Sequence, residues 1–265
     1  MLGSCGVEMF ASISTLAALF AAVDGGVPTV PAELACLVRN YRVGPVFERG
    51  EWFAATLNGT RIPFDDHKNK SFDERLASPD VKDIFRIPYR AGAIVPVETE
   101  NDDPGRVRVE AILAATYGPN PAAAQVRTRF LGMAVRVHRS IVPALARVAS
   151  RLENARRDDP SLAPFLRRLS GGFAARTIAG TDRTSAHAFG IAIDLDKSMS
   201  DYWRWQSAGP LHWRNRIPQT IVDAFETEGF IWGGRWWHYD TMHFEYRPEL
   251  AGPTCASVSS DNQPR

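Results

Sequence analysis

A carboxylate stands inside an apolar run, Ile191-Ala192-Ile193-Asp194-Leu195. The run reads as a strand, and a carboxylate buried in it is costly unless a cation or several donors meet it. A Zn²⁺ ion would offset that cost directly. His187 precedes Asp194 by seven residues, with Gly190 between them. Glycine permits a turn or a close backbone approach, so His187 can fold back beside the strand that presents Asp194. A catalytic zinc takes three N or O ligands and keeps one position open for water. His187 and Asp194 supply two of the three.

The third ligand has to come from elsewhere. The histidines stand at 67, 138, 187, 212, 238 and 243. The segment Trp236-Trp237-His238-Tyr239-Asp240-Thr241-Met242-His243-Phe244-Glu245 offers His243, with Asp240 three residues ahead. With His243 at the start of a last strand, Asp240 lies in the turn before it. From there its carboxylate can reach the metal-activated water as a general base. His238 and Glu245 read as partners of the ligands or as cleft lining. His67, His138 and His212 read as ordinary surface or core histidines.

At these residues the sequence resembles a known family. Ser185-x-His187-x-x-Gly190-x-Ala192-x-Asp194, followed by Asp240-x-x-His243, is similar to the zinc D-alanyl-D-alanine carboxypeptidases and dipeptidases and the L-alanyl-D-glutamate endopeptidases. These form the VanY-like branch of the LAS metallopeptidases. The lead-in Arg176-Thr177-Ile178-Ala179-Gly180-Thr181-Asp182-Arg183-Thr184-Ser185 is similar too. The strong resemblance covers about 171 to 247, with weaker similarity upstream to Asp103-Pro104-Gly105-Arg106. The resemblance implies one zinc ion on His187, Asp194 and His243, with Asp240 as the catalytic base. It also places Arg176 where an arginine holds the substrate carbonyl or developing oxyanion. The implied substrate is a peptidoglycan stem peptide, cut at a bond next to a D-amino acid by a D,D-carboxypeptidase or L,D-endopeptidase. Aspartate rather than glutamate at 240 leans away from the dipeptidases.

Each residue also has a plainer reading. A histidine capping a turn and an aspartate at a strand end are common, and only the two motifs together favour the metal. Asp240 could be a turn residue bonded to its own backbone. Arg183 rivals Arg176, and either could be a surface residue. Ser185 reads first as ordering the His187 turn. With Trp236, Trp237 and His238 it is also a candidate for the substrate side of the cleft. Two other functions compete: a non-catalytic zinc module that binds cell-wall peptide or glycan, as the hedgehog relatives suggest, and a serine hydrolase on Ser185. The short Ser185–His187 spacing and the lack of a GxSxG elbow count against the latter.

Composition bounds the rest. Hydrophobic residues make up 45% and charged residues 23% of 265, as in an ordinary globular protein. Thirty-one Lys plus Arg against 30 Asp plus Glu leave a net charge of +1, so no global field attracts nucleic acid. A monomer is expected. The apolar stretch from Met9 to Val23 is too short to span a bilayer comfortably. It suits a secretory signal and hence a periplasmic or secreted protein, although no Lys or Arg precedes it. Cys36 and Cys255 could pair and tie the two ends together.

The expected fold is α+β: a small antiparallel sheet carrying the zinc site, flanked by helices, with an N-terminal accessory layer. The divisions are a signal or apolar segment at 1–26, an accessory region at 27–124, the zinc peptidase domain at 125–250 and a tail at 251–265. Trp52–Leu57, Asn58-Gly59 and Thr60–Phe64 predict a hairpin with a type I′ turn. Helices are expected near Phe72–Leu76, over Arg106–Tyr117, Arg139–Arg157 and Pro218–Glu228, and after Asp158-Asp159-Pro160 with Ser161 as cap. Strands are expected at Phe173–Ile178, Gly190–Leu195 and His243–Tyr246.

Overall fold

The computed structural model describes residues 28–118, 121–206, 209–252 and 255. The signal-like stretch and most of the tail lie outside them. Helices alternate irregularly with short antiparallel sheets, giving the expected α+β class. No helix among the described residues is long and apolar enough to cross a membrane.

The described residues begin with α1 (Ala32–Asn40) and a three-stranded antiparallel sheet of β1 (Val43–Glu48), β2 (Glu51–Thr56) and β3 (Arg61–Pro63). The hairpin at Asn58-Gly59 forms, but its turn is not type I′. That turn needs positive φ at both central residues, and only Gly59 has it. Gly59 N donates to Thr56 O while Thr56 N donates to Thr60 O, the pattern of a three-residue loop closed by a left-handed glycine. The paired positive φ values fall instead at Arg49-Gly50 and Leu131-Gly132, the turns of two hairpins the sequence reading missed.

Two one-and-a-half-turn helices follow, α2 (Phe72–Ala77) and α3 (Val81–Phe85), each opened by a capping box on Ser71 or Asp80. Next, α4 spans Glu110–Tyr117 rather than starting at Arg106. Residues 106–109 lie outside the helix: Val107, Arg108 and Val109 are buried, and Arg108 is paired to Glu245 far along the chain. The hairpin of β4 (Gln125–Phe130) and β5 (Met133–His138) leads into α5 (Val142–Asp158), whose stripe of Leu145, Val148 and Leu152 is buried. The turn after α5 is capped by Asp159, whose carboxylate accepts from Ser161 N; Ser161 itself is not the cap.

The four-stranded sheet has the order β6–β7–β9–β8, all antiparallel: β6 (Leu169–Gly171), β7 (Ala192–Leu195), β8 (Phe230–Trp232) and β9 (His243–Tyr246). Between β6 and β7 lies α6 (Ala186–Phe189), and α7 (Gln219–Glu226) precedes β8. The strand expected at Phe173–Ile178 does not form. Phe173 N bonds to Arg136 O and Ala174 N to His187 O, and Ile178 N turns back to Arg183 O. The backbone donors go to three different partners, so no ladder can run.

The last helix among the described residues, α8 (Pro248–Ala251), packs against α1. There Cys36 and Cys255 form a disulfide, with Cα atoms 5.6 Å apart. It closes nearly the whole described chain into one loop. Its loss by Cys36→Ser is expected to cost about 2–5 kcal/mol, read as a shift in the denaturant midpoint of oxidised protein. A midpoint equal to wild type would show that the packing of α1 on α8 holds without the bond.

Candidate metal centre and its cleft

The register of β7 on β9 sets Asp194 directly opposite His243, and that of β6 on β7 sets Gly171 opposite Asp194. Gly171 leaves room for the carboxylate: a Cβ there would lie 2.6 Å from Asp194 Oδ2. His187 comes in from α6. Ser185 caps that helix through His187 N, and Gly190 ends it in the left-handed region at φ 71°, where L side chains are strained. This single helical turn folds His187 back onto the strand.

Three ligand atoms converge. His187 Nε2 lies 3.2 Å from Asp194 Oδ1 and 3.2 Å from His243 Nδ1, and His243 Nδ1 lies 2.9 Å from Asp194 Oδ1. His187 Nδ1 lies 2.7 Å from the Gly172 carbonyl. A carbonyl only accepts, so Nδ1 carries the proton and Nε2 presents a lone pair. His243 Nε2 faces Glu245 at 3.5 Å, which turns its Nδ1 lone pair inward too. Two imidazole lone pairs and a carboxylate facing one another need a positive charge between them. Without metal a proton fills that need. Burial opposes charging His243, but hydrogen bonds to Asp194 and Glu245 hold its pKa up to about 10. Tetrahedral ligands at zinc distances stand about 3.3 Å apart, close to the spacing seen here. The donor set therefore fits zinc, and the group formed by His187, Asp194 and His243 is one that could hold a metal ion.

Asp240 lies in the tight turn that delivers His243, with His243 N bonded to Asp240 O at 3.1 Å. Its Oδ1 is buried without a hydrogen-bond partner among the described residues. Burial first, and the nearby Asp194 carboxylate second, push its pKa up to about 7.

All four residues line one cleft of about 140 Å³, together with Arg106, Arg176, Ser185, Tyr202, Trp236 and His238 among others. Ser185 is buried and its hydroxyl accepts from His187 N, as its first reading has it. Trp236 is buried and donates from Nε1 to Pro104 O at 2.7 Å. Trp237 does not line the cleft; its backbone is held by Asp102 O and its ring lies edge-on to His238. Arg176 is exposed on the rim, with one long bond to Thr177 O. Arg106 also reaches in, with its guanidinium 5.7 Å over the Trp236 ring and its charge felt at Asp240.

The sequence reading missed what the segment 102–108 does. Asp103 is buried and accepts from His238 N and Nδ1 and from Arg106 Nη1. Arg108 bonds both oxygens of Glu245 at 3.1 Å, which ties this segment to the partner of His243. Its signal is the segment Asp103-Pro104-Gly105-Arg106, similar to the family upstream of the two metal motifs. Tyr202 and Trp203 also line the cleft; Trp203 belongs to the run of six tryptophans between 203 and 237 that suggests a cleft wall, whereas Tyr202 carried no signal beyond being aromatic.

Residues 179–246 match the family model described as D-alanyl-D-alanine carboxypeptidase, and over that segment the VanY-like resemblance is supported. The match includes His187, Asp194, Asp240 and His243. No curated protein and no solved structure matches the chain.

Proposed function

With a segment of D-alanyl-D-alanine carboxypeptidase type folded around two inward-facing imidazoles and a carboxylate, we propose that this protein is a zinc-dependent peptidase acting on peptidoglycan stem peptides. The observation that carries the reading is the convergence of His187 Nε2, His243 Nδ1 and Asp194, with an unpartnered Asp240 oxygen in the same cleft. His187, Asp194 and His243 would hold the ion. When bound, zinc supplies Lewis-acid activation of water and of the scissile carbonyl.

The chain's own residues do the rest. Asp240 takes the proton from the attacking water as its oxygen joins the carbonyl carbon. It then gives that proton to the leaving amine nitrogen as the C–N bond breaks. An aspartate with a raised pKa suits both halves of that exchange. Glu245 orients His243 through Nε2, and the Gly172 carbonyl orients His187 through Nδ1. Arg176 or Arg106 can meet the developing oxyanion from the rim. Trp236 and His238 form the wall against which the peptide lies. A disulfide between the chain's ends fits an oxidising compartment, in keeping with a periplasmic or secreted enzyme.

Digestion of purified muropeptides with and without a chelator tests the proposal. Hydrolysis should stop on chelation and return with zinc, and the product masses should name the bond. Activity indifferent to chelator would remove zinc from the account. A zinc-loaded protein inert on every muropeptide would favour a binding module.

A further inference from the structure

The cleft does not end at the metal centre. It shares Arg106, Arg108, Ile178, Arg183 and Arg204 with a second cavity of about 670 Å³. The far side of that cavity is built by Leu76 and Pro79, from a part of the chain outside the family match. The arginines at the junction are unequally compensated. Arg108 is paired with Glu245 and Arg106 with Asp103. Arg183 and Arg204 make no ion pair among the described residues.

Arg183 is the telling one. Its side chain is half-buried, and Nη2 donates to the Arg106 carbonyl. Its other guanidinium nitrogens have no acceptor among the described residues, while its backbone N donates to Thr181 Oγ1. Burial, with Arg108 and Arg106 alongside, lowers its pKa to about 10. Arg204 rests on the Trp203 ring at 5.0 Å and donates to Ala179 O, which leaves part of its fork free at the junction. A partly desolvated guanidinium with open donors is suited to a bidentate carboxylate. Farther into the second cavity the exposed Asp73 and Asp182 oppose the field, and Glu110 is committed to Thr184 N and Oγ1. Anion binding is therefore confined to the junction, which fits a single carboxylate and disfavours a polyanion.

We propose that the junction of the two cavities is a carboxylate-binding subsite centred on Arg183 and flanked by Arg204, through which a peptide extends beyond the bond that is cut. That the bond is cut rests on the proposed peptidase function; the binding does not. The carboxylate could belong to an acidic side chain or to the chain end.

The test uses zinc-loaded Asp240→Asn protein, so that peptides are bound and not consumed, and reads affinity by calorimetry. Three peptides share one D-alanyl linkage. One has an acidic side chain beyond it and an amidated end, one has only a free terminal carboxylate, and one is wholly amidated. At least one acidic peptide should bind roughly tenfold more tightly than the neutral one. Which of the two does so identifies the source. Arg183→Gln should abolish the preference and Arg183→Lys restore part of it. Should Arg183→Gln fail to fold, Arg204→Gln, at an exposed position, must still reduce the preference. Equal affinity for all three, no measurable binding, or a preference untouched by these variants would overturn the subsite. Absent hydrolysis by wild type with the binding preference intact would overturn the peptidase reading alone.

Discussion

Replacing Asp240 with asparagine should lower muropeptide hydrolysis by about 10²–10⁴-fold and leave the zinc content unchanged. The carboxylate lines the cleft but is not one of the three converging ligand atoms, and its Oδ1 has no hydrogen-bond partner among the described residues. Elemental analysis beside the rate separates the outcomes: metal lost along with activity would make Asp240 part of the ion's cage. The same variant should behave differently without metal. The folded pKa of Asp240, raised to about 7 by burial and by Asp194, exceeds the ordinary 3.8. Its ionised form therefore opposes folding. That penalty is absent below 3.8, grows between there and about 7, and is complete above. Metal-free Asp240→Asn should thus melt higher than metal-free wild type above about pH 7, with the gap closing toward pH 4. Bound zinc should shrink the gap by favouring the nearby negative charge.

Removing Glu245 should produce the largest loss of stability from any single change near the site. Its buried carboxylate accepts two bonds from Arg108 and one from Arg247 at 3.2 Å, and it faces His243 Nε2. Burial alone would raise its pKa, yet Arg108, His243 and Arg247 hold it well below the usual carboxylate range. A depressed pKa contributes stability that is present above the ordinary 4.5 and is lost as the pH falls. In Glu245→Ala, Arg247 keeps Glu249, but Arg108 is left buried without a carboxylate. The cost should be about 3–5 kcal/mol, or on the order of 10 °C in melting temperature. Zinc affinity should fall by about 10–100-fold as His243 loses its outer partner. A variant that melts within about a degree of wild type would mean that water replaces the carboxylate beside Arg108. Glu245→Gln, which keeps the shape and some acceptors, should fall between the two.

Much of the site could be read before any fold was known. His187, Gly190 and Asp194 are close in sequence, so local rules suffice to bring them together: a cap, one helical turn, a left-handed glycine and a strand. His243 lies far away in the chain, and its place rested on motif resemblance until the pairing of β7 with β9 set it across from Asp194. Elements with strong periodicity, such as α5, were also legible. The β4–β5 hairpin was not. Its sequence, Gln125-Val-Arg-Thr-Arg-Phe130, does alternate polar with β-branched or aromatic residues, but over only six positions, and its pairing with Met133–His138 supplies the order.

The sequence by itself determined the candidate ligand types, the turn that presents His187 and the carboxylate placed where only a cation or donors could keep it. These depend on interactions between near neighbours, which the order of residues specifies directly. The tertiary structure alone decided that Arg106 and Arg108 line the cleft while Asp103 holds Arg106 and His238, that Arg108 holds the partner of His243, and that Trp236 but not Trp237 lines the cleft. It also decided that Cys36 and Cys255 meet and that the cleft opens into a second cavity at Arg183. Such contacts join residues far apart in the chain. They form only when burial of the shared core makes up for the entropy of closing long loops, and no local pattern records which distant partner that will be.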